Sequence, residues 1–542
     1  MGTPVQSIAV QAPGNQGLNT EMSPFQASQD FALRADNTVI DAVGRLSSRE
    51  AFADWFTRTD ITEPYDIVRM ESLDDGTVFG IAALGRTVMN TSRAPSGMGD
   101  SVHYDLGLAD YTSYVGVRID GDVVSEVPSI RPANGIANCQ LVPFKDAIYV
   151  FSKGEAPMVF DGTTGTKLSD AANYLPPEND DGVIAAELNG DVACAAYGRL
   201  WVSGVDDDYN TIYYSDLLIP EQWYDGKGTP TDGQNTAGII NVSEYWPNGD
   251  DRIQGIAAHN GFLVIFGRKS ILIYSGAQGD PAGEDGLKLE DAIRDVGLIN
   301  QDAMCNVGTD HLFVDYLGVR ALGRVIQEKS TPMAEPSMNV ATEIRDLIYG
   351  NVETVRMFTL PRHSLALCLF PDIQEAFVFQ LGQPSVSGGL RVTRWTGCDF
   401  FDSVTASVGD GFKSLLAGRN GRGVCRYKDY DQPTSYNVVY ESPVINATGN
   451  QMSTVMPKSM SFSFVSNKQD NFRAIWGFGS NMSYSQKVKT KATASDSEFQ
   501  TSHVAMRSSG EMLRVGFDVE ITGEPISIQQ ISINAQAGRV IV

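Results

Sequence analysis

From about residue 65 to 435 one hydrophobic pattern recurs: a short apolar run, a Gly or Asp turn, then a second apolar run. Residues 147–151 precede 157–162, 198–203 precede 211–215, and 262–267 precede 270–276. The same relation holds for 310–314 with 318–322, 365–370 with 375–379, and 414–418 with 423–427. Runs this short, bounded by turn residues and rich in β-branched and aromatic side chains, predict strands rather than helices. Taking Ile148, Leu200, Leu263, Leu312, Leu367 and Leu415 as anchors, the intervals are 52, 63, 49, 55 and 48 residues. A similar run at 78–84 lies about 70 residues before Ile148. Each unit supplies a hairpin with room for two more strands, which is the dimension of a propeller blade. A single blade cannot bury both faces; stacking blades around an axis buries them and leaves short edges. A string of β-sandwiches is the competing reading, and the recurrence weakens it.

The two ends differ from this theme. Residues 11–24 hold turn residues and few apolar anchors, which predicts an extended arm. Within 31–52, Val39-Ile40 and Arg45-Leu46 flank a four-residue turn, so strand, turn, strand is expected. Beyond residue 435, Met460, Phe462 and Phe464 alternate with serines, and Leu513, Val515, Phe517, Val519 and Ile521 alternate with polar or small residues. Such alternation predicts an antiparallel sheet with one wet face. Ile526, Ile528, Ile531 and Ile533 skip a beat at Gln529-Gln530, which predicts a bulge. Helices are expected only over 338–350, with Val340, Ile344, Leu347 and Ile348 on one face and Gly350 as cap, and over 287–296. The fold expected is all-β: an N-terminal arm and first hairpin (1–60), a β-propeller of about six or seven blades (61–435), and a C-terminal antiparallel β-sandwich or jelly-roll-like module (436–542).

Composition supports a packed protein. The 542 residues are 42% hydrophobic and 20% charged, with net charge −25. Residues 436–542 hold nine Lys and Arg against eight Asp and Glu, so the first 435 residues carry −26. So acidic a chain is a poor nonspecific nucleic-acid binder, because phosphate contacts need Lys and Arg. No run approaches the ~18 apolar residues of a membrane helix. Met1 to Gln6 reads as neither a secretory leader nor a myristoylation signal. The six cysteines, Cys139, Cys194, Cys305, Cys368, Cys398 and Cys425, form no CxxC pair, and most lie in apolar strings. They read as buried thiols in a protein made in a reducing cytoplasm.

The search for chemistry returns no catalytic, cofactor-binding or metal constellation. There is no G-x-S-x-G and no Walker string. GRNGRG at 418–423 has the wrong glycine offsets for a dinucleotide loop and reads as a hairpin turn. His103, His259, His311, His363 and His503 are not at ligand spacing. Asp206, Asp208 and Asn210 match the opening of a calcium loop, but Thr211 stands where Gly is needed and Leu217 where a bidentate Glu is needed. Trp201, Trp223, Trp246 and Trp395 could line a glycan pocket, and buried blade positions explain them as well.

Several strings resemble a known group. Gly17-Leu18, Ser23-Pro24, Asp36-Asn37 and Gly44-Arg45-Leu46 with Arg49 are similar to the opening of tail nozzle proteins of short-tailed bacteriophages, also called tail tubular protein B. GRLWVSG (198–204), NTIYYSDLLIPEQW (210–223) and a final strand ending in Ala537-Gly538-Arg539 add to the resemblance. It implies a non-enzymatic virion component synthesised in the bacterial host cytoplasm. It implies a ring, homohexameric in that group, below the portal and adaptor and near tail fibres or spikes, through which the genome is ejected. An acidic lumen would pass DNA without binding it. The alternative expectation is a propeller-type carbohydrate-binding or glycan-hydrolysing receptor-binding protein.

Overall fold

The most apolar runs of the sequence become strands covered on both faces. Val78–Leu84, Arg199–Val205 and Leu365–Phe370 are buried at every position. Each is the second strand of a small antiparallel sheet, sandwiched between neighbouring sheets, so apolar side chains point both ways rather than alternating. Outer strands such as Gly165–Lys167 and Lys288–Arg294 are more exposed and carry weaker patterns.

The computed structural model describes all residues except 1–4, 42, 55–57, 86–110, 121–122, 137, 178–186, 224–235, 282–285, 309, 329–334, 409–410, 419–423, 428–434, 447–453, 466–471, 489–498, 524 and 538–542. Seven blades follow one another. Blade 1 spans Tyr65–Ser72 to Val123–Val127, and blade 2 Cys139–Phe144 to Gly165–Lys167. Blade 3 spans Val192–Ala196 to Gly238–Asn241, and blade 4 Ile253–His259 to Lys288–Arg294. Blade 5 has three strands, Met304–Asn306, His311–Asp315 and Gly318–Ala321, followed by helices α1 (Leu322–Glu328) and α2 (Ala341–Asn351). Blade 6 spans Arg356–Leu360 to Leu390–Thr396. Blade 7 takes three strands from 400–427 and its fourth, Phe52–Asp54, from the N-terminal segment, with Tyr427 opposite Phe52. The inner strand of blade 7 runs beside that of blade 1 and closes the ring. Every anchor named above falls on the second strand of a separate blade. The tight turns match their residues: Asn260 and Gly261 both take positive φ, 48° and 86°, between the first two strands of blade 4.

The C-terminal module is a two-sheet sandwich. One sheet has the order Thr38–Ile40, Leu46–Ser48, Ser527–Ala537, Val455–Val465, Phe499–Ala505, with Val5–Gln11 also on Ser527–Ala537. The other runs Arg34–Asp36, Tyr436–Glu441, Leu513–Ile521, Phe472–Phe478, Asn481–Lys487. Phe462, Phe464, Phe472, Phe517, Ile531 and Ile533 fill the space between them. The expected bulge is present, with Ser463 opposite Gln530 and Phe464 opposite Ile528.

Three expectations need correction. The segment 287–296 is not helical: Lys288–Arg294 is the outer strand of blade 4, because pairing with Ser270–Ser275 outweighs its helical spacing. Helix α2 begins at Ala341, three residues later than expected, and runs one residue past Gly350, to Asn351. Residues 11–30 do not stand out as an extended arm but pack against the rest of the chain. Leu18, Phe31 and Ala32 are buried, Leu18 N donates to Val392 O at 2.7 Å, and Val444 N donates to Pro24 O at 3.0 Å. The N-terminal sixty residues are therefore divided between propeller and sandwich rather than forming a separate arm.

Candidate functional site

Among the described residues, two of the places that gather polar side chains inside the molecule link separate modules or blades. The first is the junction of propeller and sandwich, built by the N-terminal segment. Arg34–Asp36 lies between the outer strand of blade 6 and Tyr436–Glu441, parallel to the former and antiparallel to the latter. It merges blade 6 and one sandwich sheet into nine continuous strands. Asn37 follows with φ 54°, a conformation Asn tolerates well. Its buried amide makes four bonds. Nδ2 donates to Thr396 Oγ1 and Asn437 O, both at 2.8 Å. Oδ1 accepts from Arg49 Nε at 3.0 Å and from Thr396 N at 2.9 Å.

Arg49 is itself buried. Its guanidinium lies 4.3 Å from the ring centre of Phe52 and 4.1 Å from that of Tyr436, with Trp395 at 5.8 Å. Burial lowers its pKa, opposed by Tyr436, Cys398 and Tyr427, and these cation–π contacts favour the charged form. The Tyr436 hydroxyl donates to Arg49 O, and Glu50 N donates to Tyr427 Oη at 3.2 Å. Earlier in the segment, Gly17 has φ 84°, and a Cβ there would sit 2.6 Å from Val392 O, so only glycine fits. The strings Gly17-Leu18, Asp36-Asn37 and Arg49, which carry the nozzle resemblance, are thus the clasp between the modules.

The second place is the propeller axis. Inner strands of six blades line a cavity of about 600 Å³. A bulge between Ile67 and Arg69 re-aims Arg69 inward. Its guanidinium meets Asp302, before blade 5, with Nη1 to Oδ1 at 2.5 Å and Nη2 to Oδ2 at 2.6 Å. It also donates to Gly135 O and Ile136 O. Gln140 Nε2 donates to Asp302 Oδ1 at 2.9 Å. Arg356, from blade 6, donates to Val68 O, Phe401 O and Ile136 O. Burial pushes the Asp302 carboxyl up, but Arg69 and Arg356 outweigh it and hold it below the usual carboxylate range. Gln140, Gln301 and Asp302 also line a second cavity of about 320 Å³, so this layer stands between two axial spaces.

Glu71 faces the larger cavity. Burial, with Asp402 adding repulsion, pushes its carboxyl up to about 7, against a bond from Ser72 N. Asp402 accepts from Met70 N at 3.0 Å, which joins blades 1 and 7, and from its neighbour Ser403 N at 2.8 Å. The axial layer is a latch across the ring, and burial raises two of its carboxyls, Glu71 to about 7 and Asp402 beside it.

The residues singled out in the sequence scatter. Asp206, Asp208 and Asn210 do not converge: Asp206 Oδ1 accepts from Asn189, Asp208 Oδ1 from Asn210 N, and Asn210 Oδ1 from Trp246 Nε1. No group of three metal-binding side chains occurs among the described residues. Trp201, Trp223, Trp246 and Trp395 are all buried, between 0% and 4% exposed, and none lines the axial cavity. Five cysteines are buried and Cys194 is half-buried, all as free thiols. His259 and His311 pack ring to ring at 5.6 Å between blades 4 and 5, His363 lies 3.4 Å from Glu50, and His503 meets Ser461. His103 and the turn at 419–423 lie outside the described residues. Sequence reasoning missed the axial cluster, because Arg69, Asp302, Arg356 and Asp402 share no spacing. The Arg inside the apolar run 65–72 was the one available signal.

No family model matches the sequence, and no curated protein matches it. Among solved structures the chain is similar to the Neurospora crassa Pan2 WD40 domain, at 8% identity and TM-score 0.36, covering 68% of this chain and 91% of that one. It is similar to YCF48 bound to D1 peptide at 8% identity and TM-score 0.33, covering 69% and 96%. Porphyromonas gingivalis PorZ, a component of a type-IX secretion system, is similar at 10% identity and TM-score 0.38, covering 81% of this chain and 55% of that one. These likenesses bear on the fold alone, and the chain is a seven-bladed β-propeller joined to a β-sandwich.

Proposed function

We propose that this chain is a structural subunit of a short-tailed phage tail, a nozzle ring below the portal and adaptor whose lumen conducts the genome. The observation that carries the reading is the clasp. Some of the residues that resemble the nozzle group, Gly17, Leu18, Asp36, Asn37 and Arg49, lie in this joint, with Asn37 tying blade 6, the sandwich and Arg49 together. A nine-stranded sheet shared by both modules resists bending between them, which suits a ring wall under load. Arg69 and Asp302 meet inside the propeller, so in this reading the conduit runs between subunits rather than through a propeller. The charge of −26 over the first 435 residues supplies acid to face DNA without holding it.

The test is cryo-EM of tails labelled through this chain. A closed ring on the tail axis with Asp and Glu facing the lumen is expected. A peripheral, fibre-like position, or a lumen lined mainly by Arg and Lys, would refute the conduit.

A further inference from the structure

Among the described residues, the six-stranded sandwich sheet ends in two seven-residue edge strands. Val5–Gln11 pairs with Ser527–Ala537 on one side, and Phe499–Ala505 pairs with Val455–Val465 at the opposite end of the sheet. Among the described residues neither strand has a second strand partner. Both are seven residues long, VQSIAVQ and FQTSHVA, with no Asp, Glu, Lys, Arg or Pro. Soluble proteins ordinarily guard an open edge with a lysine, a proline, a bulge or a cover. Val5 is 57% exposed.

The hydrogen-bond phase of each edge is fixed. Ala12 N donates to Gln529 O at 2.9 Å, so even-numbered residues of the first strand bond inward, and Val5, Ser7 and Ala9 turn their N–H and C=O outward. Met506 N donates to Lys458 O at 2.9 Å, so by the same alternation Thr501, His503 and Ala505 turn theirs outward. Side-chain phase agrees. Val5, Ser7 and Ala9 on one strand and Thr501, His503 and Ala505 on the other face solvent, while Val10, Ser502 and Val504 are buried. Direction agrees as well. The path from Val5–Gln11 through Ser527–Ala537 and Val455–Val465 to Phe499–Ala505 is antiparallel at every step, so its two end strands run oppositely.

We propose that a second copy of this chain lays its Phe499–Ala505 edge against Val5–Gln11, continuing the sheet from subunit to subunit. The register that matches both phases sets Val5 opposite Ala505, Ser7 opposite His503 and Ala9 opposite Thr501. It forms about six backbone hydrogen bonds. A single slip would put outward backbone groups against inward ones and reverse the buried faces. Equal length, opposite direction, shared phase and the absence of charge on both edges favour another copy over an unrelated strand. The contact joins different edges, so it is head-to-tail and can close a ring. It rests on the ring reading above and supplies its junction.

The test uses the full chain carrying Ala9→Cys and Thr501→Cys, concentrated and mildly oxidised, with non-reducing gels and negative-stain images. Directly opposed residues lie within disulfide reach. A ladder of disulfide-linked copies is expected from the double variant and a linked dimer from a mixture of the two single variants, with neither product from a single variant alone. Adding Ser7→Pro, which removes an outward N–H and leaves the pairing with Ser527–Ala537 intact, should weaken the ladder about tenfold or more. Rings that persist without a ladder, and unaffected by Ser7→Pro, overturn the edge pairing and leave the ring reading standing. Monomers without a ladder at every concentration overturn both. Linkage of the Ala9→Cys thiol to a different tail protein in assembled particles overturns the choice of a second copy.

Discussion

Replacing Asn37 by Ala tests the clasp most directly. The substitution removes four hydrogen bonds, strands Arg49 Nε in a buried site and leaves Thr396 N and Asn437 O, both part-buried, without this partner; Thr396 Oγ1 can rotate toward another partner. At about 1 kcal/mol net per bond, with more for the group left charged, the loss is about 3–5 kcal/mol. Alanine must also hold φ 54°, which adds about 1 kcal/mol. Asn37→Ala should therefore lose about 4–6 kcal/mol, and Asn37→Gly, free of the backbone penalty, about 1 kcal/mol less. Guanidinium unfolding followed by tryptophan fluorescence suits the question, because Trp395 is buried at this junction. Limited proteolysis should show the two modules separating before either unfolds. A loss below about 1 kcal/mol for Asn37→Ala, the net worth of a single bond, would refute the clasp. Equal losses for Ala and Gly would refute the backbone part of the argument.

Leu263→Ala, at a fully buried position on the second strand of blade 4, should cost about 2–5 kcal/mol by thermal or chemical unfolding. Asp302→Asn leaves Arg69 buried without its bidentate partner and should cost about 3–5 kcal/mol, whereas changing both residues to apolar ones should recover most of that loss. Glu71 has a folded pKa of about 7 against an ordinary 4.5, so the native state binds the extra proton between these values. Its contribution is complete below about 4.5 and is lost as pH rises through about 7. Unfolding midpoints of wild type should therefore fall across that window relative to Glu71→Gln, and parallel curves would rule the assignment out.

The propeller was legible because each blade's second and third strands are apolar on both faces. Val78–Leu84, Leu365–Phe370 and their equivalents announce themselves as unbroken runs at blade spacing. First and fourth strands, such as Cys139–Phe144 and Gly165–Lys167, are half-wet and short, so the sequence showed room for them without showing them. Lys288–Arg294 was misread because LEDAIR has helical spacing and a strong local preference, and only its partner strand overrides that. Residues 11–30 were misread because a few well-placed apolar residues anchor a turn-rich stretch as firmly as a regular element does. The axial latch was invisible for a different reason. It is assembled from one or two side chains per blade, and no local pattern records that Arg69 and Asp302 meet across the ring.

The blade that ends the propeller borrows its last strand from residues 52–54, about 375 positions before the segment it pairs with. On a ribosome adding about 5–20 residues per second, Phe52–Asp54 waits on the order of 20–75 s before Val424–Tyr427 exists. During that interval blades 1 to 6 can stack in order, each on the one before, while both ends of the growing arc keep a bare edge. Closure is then a single late event that joins the two most distant parts of the propeller. Loop-closure entropy makes it slow to form, and the same long-range pairing makes the finished ring slow to open. A subunit released before residue 427 is synthesised carries an unpaired Phe52–Asp54 strand, and that strand can complete blade 7 of a different molecule. Strand exchange between nascent chains is thus a misfolding route that this architecture opens, and faster translation of the last blades shortens the exposure.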